Sequence, residues 1–275
     1  MFKVQYFEDD QRDNKSNDEF SALVGIVRTS CAGLANDRFR CIMQNKILKQ
    51  VHYTRADGEM MPASERIARE TALKVMVDGQ HFATAMILAA MEKEYVTGYL
   101  YVQGIIDSAA GIVSIRIKNN IADVRLKDGR EQRTIPQNIN SGLVVSKEDV
   151  FGCVRAILKS PIFEETEAVH SAGLFLNGKT TVSITEDLGR HNALDKVIGA
   201  GLLQNIDFNK TLAASTGRQP TEMILRCRST GIPVIATKGV PTSMAVELAE
   251  KTGITIAGLV RGDTMIVYSH PERIR

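Results

Sequence analysis

Residues Thr185–Gly199 read TEDLGRHNALDKVIG, and the rest of the chain is organised around them. Two carboxylates (Glu186, Asp187), a glycine, Arg190 and His191 fall within residues 186–191. Ala193, Leu194, Val197 and Ile198 then recur at i, i+1, i+4 and i+5, the pattern of an amphipathic helix with one apolar face. Asp187 is the expected N-cap, which puts Arg190 and His191 in the first turn, beside backbone N–H groups that have no partner inside the helix. A cation at that end opposes the helix dipole unless an anion is also present. Two readings stand: a negatively charged ligand beside Arg190, or an ion pair between Arg190 and Glu186.

Downstream, TLAAS, IPVIAT and ITIAGLV alternate with the helical stretches PTEMILRCRST and PTSMAVELAEKTG, and TMIVYS closes the series. Apolar runs of this length between helices of ten to twelve residues predict βα units on a mostly parallel sheet. Pro220 and Pro241 are expected as first helical residues, with Gly231 and Gly253 just past the ends. Upstream, GLFLNGKTTVSIT reads as a hairpin, and Ser146 as the cap of a helix KEDVFGCVRAILKS that takes Cys153 into a core. QNINSG, residues 137–142, is a polar linker. Before it, ALKVMVDGQHFATAMI is a hairpin turning at Asp78-Gly79, and MEKEYVTGYLYVQGII has helical periodicity. IVSIRIKNNIADVRLKDGREQRTI gives three short strands turning at Asn119-Asn120 and Asp128-Gly129, so the block reads as a meander of hairpins plus one helix.

The first 65 residues yield only fragments: a charged stretch at 9–18, a short strand in SALVGIV, a turn in CAGLAN and another at Asp57-Gly58. The expected division is an extension (1–69), a hairpin-rich α+β domain (70–142) and an α/β domain (143–275).

Composition narrows the function. The 275 residues carry a net charge of +2, too little for a field that favours nucleic acid or membrane. No apolar run approaches the ~20 residues of a membrane helix, and the first twenty residues have no secretory core, so the cytoplasm is the expected compartment. Trp is absent and aromatics are 5%, which argues against a base-stacking platform. The four cysteines (Cys31, Cys41, Cys153, Cys227) lie far apart with no metal-ligand spacing.

Two motif matches fail on context. Gly173–Thr180 (GLFLNGKT) satisfies the phosphate-loop template, but it lies in a hairpin whose N–H groups are committed to a ladder. A zinc deaminase needs a His or Cys beside a Glu and a later PCxxC; His170 opens no HxE, and the chain has no cysteine pair. Three loops carry more weight. TLAAS runs into Ser215-Thr216-Gly217-Arg218, IPVIAT into Lys238-Gly239-Val240-Pro241-Thr242-Ser243, and ITIAGLV into Arg261-Gly262-Asp263. At the carboxyl ends of parallel strands, small hydroxyls, glycine and one cation per loop suit a phosphate-bearing ligand. The same residues also make ordinary turns and caps.

TEDLGRHNALDKVIG, STGRQPTEM, GIPVIATKGVPTSMAVELA and ITIAGLVRGDTMIVYSHPERI, with ETALKVMVDGQ and GYLYVQGII upstream, resemble the formate dehydrogenase accessory protein family, also called the FdhD/NarQ sulfur carriers. The resemblance covers about 200 residues, from 70 to the end. It implies a C-terminal domain of cytidine-deaminase-like, three-layer α/β fold without zinc. It also implies a ligand, molybdenum bis(molybdopterin guanine dinucleotide) or its GDP moiety, and partners: a cysteine desulfurase that supplies sulfur and the apo-formate dehydrogenase that receives the cofactor. A homodimer is admitted, with no nucleic acid and no membrane.

The family's cofactor-binding hexapeptide corresponds to Leu259, Val260, Arg261, Gly262, Asp263 and Thr264. The expected binding set adds His170, Arg190, His191, Ser215, Gly217, Arg218, Thr242 and Ser243, with no metal ligand. The family carries sulfur on a CxxC in the loop between domains, whereas RTIPQNINSG, residues 133–142, holds no cysteine, so no persulfide can form there. In the family's Thr-Gly-Gly-x-His-x-Ala, Thr166, His170 and Ala172 match, but Glu167 and Ala168 replace the glycines; Gln103-Gly104 stands for Glu-Gly. No catalytic residue is named. The leading expectation is an accessory protein handling the molybdenum cofactor and its sulfuration, which either has lost direct sulfur transfer or uses a non-family cysteine, Cys31 being the most accessible. The second is a nucleotide-binding regulatory or scaffold module without turnover.

Overall fold

Turn chemistry sets the hairpins. In the computed structural model, which describes residues 46–129 and 133–275, Asp78 and Gly79 both take positive φ (49° and 80°) between β3 (Glu70–Val77) and β4 (Gln80–Leu88), as a type I′ turn requires. Asn119-Asn120 does the same between β5 (Ile112–Lys118) and β6 (Ile121–Leu126), and Asn177-Gly178 between β7 (His170–Leu176) and β8 (Thr180–Asp187). The last of these leaves no room for a phosphate loop at Gly173–Thr180.

Asp57-Gly58 joins two ten-residue strands, β1 (Leu48–Asp57) and β2 (Glu59–Ala68), a ribbon that the expected N-terminal extension did not contain. The fragments expected at 9–18, SALVGIV and CAGLAN, like Cys31 and Cys41, lie outside the described residues.

The block around 70–140 is not a meander. Its sheet runs β4-β3-β6-β5, with β3 and β6 parallel. A parallel neighbour needs a crossover, and α1 (Glu92–Val102) lies on that path. The third expected strand is absent at residues 133–136, which take no regular structure.

The second sheet has six strands, ordered β12-β11-β10-β9-β7-β8. β9 (Thr211–Ser215), β10 (Val234–Thr237) and β11 (Thr255–Arg261) are parallel, while β7, β8 and β12 (Thr264–Ser269) are antiparallel, so the sheet is mixed rather than mostly parallel. Side-chain alternation sorts its faces. Leu212, Ala214, Val234, Ala236 and Ala257 pack with α2 (Lys147–Leu158), whose capping box joins Ser146 to Asp149. Ala213, Ile235 and Ile256 join the core under α4 (Arg190–Leu203), α5 (Thr221–Thr230) and α6 (Ser243–Thr252). This is the expected three-layer α/β arrangement. Gly231 and Gly253 end α5 and α6 in the left-handed conformation, but Pro220 is the N-cap of α5 and Pro241 precedes the cap of α6.

Two features of α4 depart from expectation. Asp187 does not cap it; Gly189 occupies that position. Asp187 is instead buried at the end of β8, where its carboxylate accepts from Leu88 N (3.1 Å), Gly189 N (3.0 Å) and Asn192 Nδ2 (2.9 Å) and pairs with Lys196 Nζ at 2.6 Å. Nor is the helix amphipathic: residues 193–202 are all buried, Asp195 and Lys196 among them. The reason is that α4 lies between the six-stranded sheet and α1, which covers the four-stranded sheet.

The two helices meet backbone to backbone. A Cβ at Gly98 would overlap the carbonyl of Asp195 and lie 2.7 Å from Gly199 N; one at Gly199 would overlap the carbonyl of Glu94. Gly98→Ala and Gly199→Ala should therefore each destabilise by about 3 kcal/mol or more, because the clash is with main chain that cannot rotate away. Gly152→Ala, on α2 with nothing near its Cα, should gain about 0.5–1 kcal/mol in the same urea titration.

Candidate active and binding edge

The carboxyl ends of β9, β10 and β11 are laced together in series. Ser171 N donates to Thr216 Oγ1 and Thr216 N to Ser171 O, both at 3.0 Å, tying the loop after β9 to β7. Thr237 Oγ1 donates to Gly217 O at 2.6 Å and Gln219 Nε2 to the same oxygen at 3.1 Å, tying it to β10. Gln219 N donates to Val240 O, Thr242 N to Gln219 O, and Leu259 N to Gly239 O at 2.8 Å, which carries the lacing on to β11. Three strand-to-element connections thus share one edge.

The glycines here are places of close approach. A Cβ at Gly217 would lie 2.9 Å from Arg190 Cδ and 3.4 Å from His170 Nδ1; one at Gly239 would lie 3.0 Å from Gly217 O. His170, Arg190, Gly217, Arg218 and Gly239 are therefore neighbours. Thr242 and Ser243 open α6 at the same edge and are exposed, as are Arg218, Lys238 and the turn Arg261–Thr264. Two expected residues face elsewhere: Val260 packs in the core against α2, and the Ser215 hydroxyl accepts from Gly217 N and shapes the loop.

Arg190 is the first residue of α4, and it has no carboxylate partner among the described residues. The ion pair with Glu186 is not made, because that carboxylate accepts from the Ser160 hydroxyl and from Ile162 N and Phe163 N at 3.0 Å, holding the start of α3 (Pro161–Thr166). Arg190 Nε and His191 Nε2 are buried with no hydrogen-bond partner. Such groups cost free energy unless something satisfies them.

The charge environment is cationic. Burial, then Arg226, then Arg190 push the His191 pKa down to about 4; burial and then Arg190 also lower that of His170. Arg226 is itself committed to the fully buried Asp195, at 2.9 and 3.1 Å. An anion bound here would offset the charge that Arg190 and Arg226 place on the two imidazoles.

Sequence reasoning placed Thr216 in the loop after β9 but gave it no role, and it missed Thr237, the last residue of β10, and Gln219. Cys227 is fully buried and Cys153 nearly so, and burial pushes both thiols up to about 12. Neither can act as an exposed thiolate. No cluster of three His, Cys, Asp or Glu suited to a metal occurs among the described residues, and no described helix is long and apolar enough to cross a membrane. Two cavities, of about 780 and 390 Å³, lie at the amino end of β9 with Asn209 lining both, and the residues of the candidate edge line neither.

The FdhD/NarQ family model matches residues 68–142 and 129–275. The chain belongs to this family. It is 31% identical over 250 residues to the sulfur carrier protein FdhD of Methanothermobacter thermautotrophicus, covering 83% of this chain and 99% of that one. It is 29% identical over 247 residues to the FdhD of Nocardia farcinica, covering 77% and 88%. A crystal structure described as a formate dehydrogenase accessory protein, from Desulfotalea psychrophila, superposes with a TM-score of 0.74 at 28% identity, covering 83% of this chain and all of that one.

His191 gives this FdhD/NarQ member a pH signature. The unfolded imidazole takes up a proton near 6.5 and the folded one near 4, so stability falls as pH drops from about 6.5 to about 4. A His191→Asn variant should lose that component in Tm against pH. NMR titration of the His191 Cε1 proton should show a midpoint near 4, and a midpoint at 6.5 would remove the cationic pocket from the account.

Proposed function

We propose that the chain is an accessory protein of formate dehydrogenase maturation that holds molybdenum bis(molybdopterin guanine dinucleotide), as cargo, by its diphosphates at the carboxyl edge of β9, β10 and β11. The supporting observation is the unpartnered Arg190 Nε and His191 Nε2 at the start of a fourteen-residue helix, pressed against Gly217. Helix N-termini and guanidinium groups are matched to phosphate oxygens.

In this reading Arg190 and the first-turn N–H groups of α4 hold one phosphate. Gly217 and Gly239 keep side chains away so that ligand and backbone come close, and Arg218, Lys238 and Arg261 at the rim face the remaining negative charge. His170 and His191, held neutral, each offer one nitrogen as donor and one as acceptor. The names of the relatives support sulfur delivery as the larger task; in this reading a cysteine desulfurase supplies the sulfur and the apo-formate dehydrogenase receives the cofactor, both in the cytoplasm.

The share of this chain in the sulfur step is limited by its thiols. Residues 133–142 carry none and Cys153 and Cys227 are sealed in the cores, which leaves Cys31 and Cys41, outside the described residues, as the remaining thiols. The same thiol-free linker favours the second reading, a nucleotide-binding module without turnover.

GDP tests the shelf. At a hundred times Kd, binding to the folded state alone stabilises by about 2.7 kcal/mol, a rise of a few degrees in Tm. Arg190→Ala should abolish the rise; no shift in the wild type, or an undiminished shift in the variant, overturns the phosphate placement. Incubation with a cysteine desulfurase and cysteine, followed by peptide mass mapping, should find no added sulfur on Cys153 or Cys227. An adduct on either would mean that the cores open to deliver a thiolate.

A further inference from the structure

The larger cavity at the amino end of β9, about 780 Å³, is lined by cations from three distant parts of the chain, Lys179, Lys210 and Arg275. One acid lines it, Asp149, and the capping box of α2 engages that carboxylate, which accepts from Ser146 N at 3.4 Å. Lys210 Nζ also lies 3.3 Å from Asp207, an exposed pair of the kind that contributes little. In a chain whose net charge is +2, three cations around one concavity are a local concentration, and concave walls focus their field.

Main-chain bonds bring the three together. Asn177 N donates to Lys210 O at 2.7 Å, which joins the β7–β8 turn preceding Lys179 to the turn Phe208–Lys210 before β9. The β7–β8 turn is itself fixed: Gly178 O accepts from Cys153 Sγ at 3.1 Å, and a Cβ at Gly178 would lie 2.9 Å from Val145 Cγ1. Arg275 N donates to Val145 O at 3.0 Å, and Lys147 N to Arg275 O at 2.8 Å. Residues 141–146 complete the wall, with Ser141 Oγ donating to Asn209 O at 2.7 Å and Asn209 Nδ2 to Asn140 O at 3.1 Å. The frame thus holds like charges that repel one another, and an anion between them offsets that repulsion.

Size and lining set the class of anion. The volume falls within the range of small-molecule sites. Lysine and arginine donors match phosphate oxygens, and the Asn177 carboxamide adds neutral donors beside them. Val144, 41% exposed, supplies an apolar surface in the same cavity.

We propose that this cavity binds a phosphate ester of nucleotide size, its phosphates held by Lys179, Lys210 and Arg275 and its body lying on Val144. The site stands at the opposite end of β9 from Arg190 and Gly217, so it does not rest on the phosphate reading of the carboxyl edge.

Isothermal titration calorimetry at low salt, with inorganic pyrophosphate and the full-length Arg190→Ala chain, isolates this cavity from that edge. The Arg190→Ala chain should bind one equivalent. Adding Lys179→Ala and Lys210→Ala should raise the Kd about tenfold or more, while circular dichroism and ligand-free Tm stay at the values of the parent chain. Lys74→Ala with Lys118→Ala, exposed on the four-stranded sheet, should leave binding unchanged. ADP should compete with pyrophosphate for the same equivalent. An Arg190→Ala chain that binds no pyrophosphate overturns the proposal, whatever the wild type does at its other edge. So does undiminished binding after loss of both cavity lysines, an equal loss in the Lys74 and Lys118 control, or a failure of ADP to compete.

Discussion

The contact between Gly98 and Gly199 is the constraint on which the rest depends. Two helices whose main chains touch cannot slide or rotate without losing contact along their whole length, because packed interiors leave no slack. α1 is anchored to the four-stranded sheet and α4 to the six-stranded sheet, so this crossing fixes one sheet against the other. The buried Lys196 ammonium reinforces it: besides pairing with Asp187 at the end of β8, it donates to Leu88 O at 3.0 Å at the end of β4 and to Glu186 O at 3.2 Å. A buried pair is weak evidence for net stability, but breaking one partner strands the other. Its clearest consequence is register: β4, β8 and α4 can meet in only one way.

That register places the first turn of α4. Asp187 is consumed by the clamp and Glu186 by the start of α3, so the two acids nearest Arg190 in the chain are both unavailable to it. The arginine and the adjoining histidine therefore keep unsatisfied nitrogens at a helix N-terminus, an arrangement unfavourable for the free protein on every electrostatic count. Such local conflict in an otherwise consistent fold is expected at functional positions, and its sign is the one the proposed phosphate ligand would offset.

Much of this was legible in the sequence because it rests on local chemistry. Asn-Gly and Asp-Gly turns, the Ser146 cap and the terminal glycines of α5 and α6 act over a few residues. The grouping of Arg190, Gly217, Arg218 and Thr242 followed from one topological rule about the ends of parallel strands, and His170 was added by the family resemblance. What was hidden is long-range. The parallel pairing of β3 with β6 depends on a crossover that no hairpin signal reveals. Asp187 looks like a cap because Ser, Thr, Asn and Asp before a helix usually are; its real partner, Lys196, sits on what the periodicity marks as a solvent face. The helix is buried on both sides only because a second sheet comes down on it, and Gly98 and Gly199 look like weak helix residues until their neighbours are known.

The geometry also separates two tasks that the family resemblance joins. Ile139 N donates to Thr252 O and Ser141 Oγ to Asn209 O, so the linker where relatives would carry sulfur runs along the amino ends of β9 and β11. The candidate binding edge lies at their carboxyl ends, a five-residue strand or about 17 Å away. Residues at one end do not shape the other: the linker holds to the sheet through backbone and serine contacts, while the shelf is built by Thr216, Thr237, Gln219 and the first turn of α4. A linker without thiols therefore leaves the cationic edge undisturbed, and in the proposed reading ligand binding at that edge does not depend on a sulfur-bearing linker.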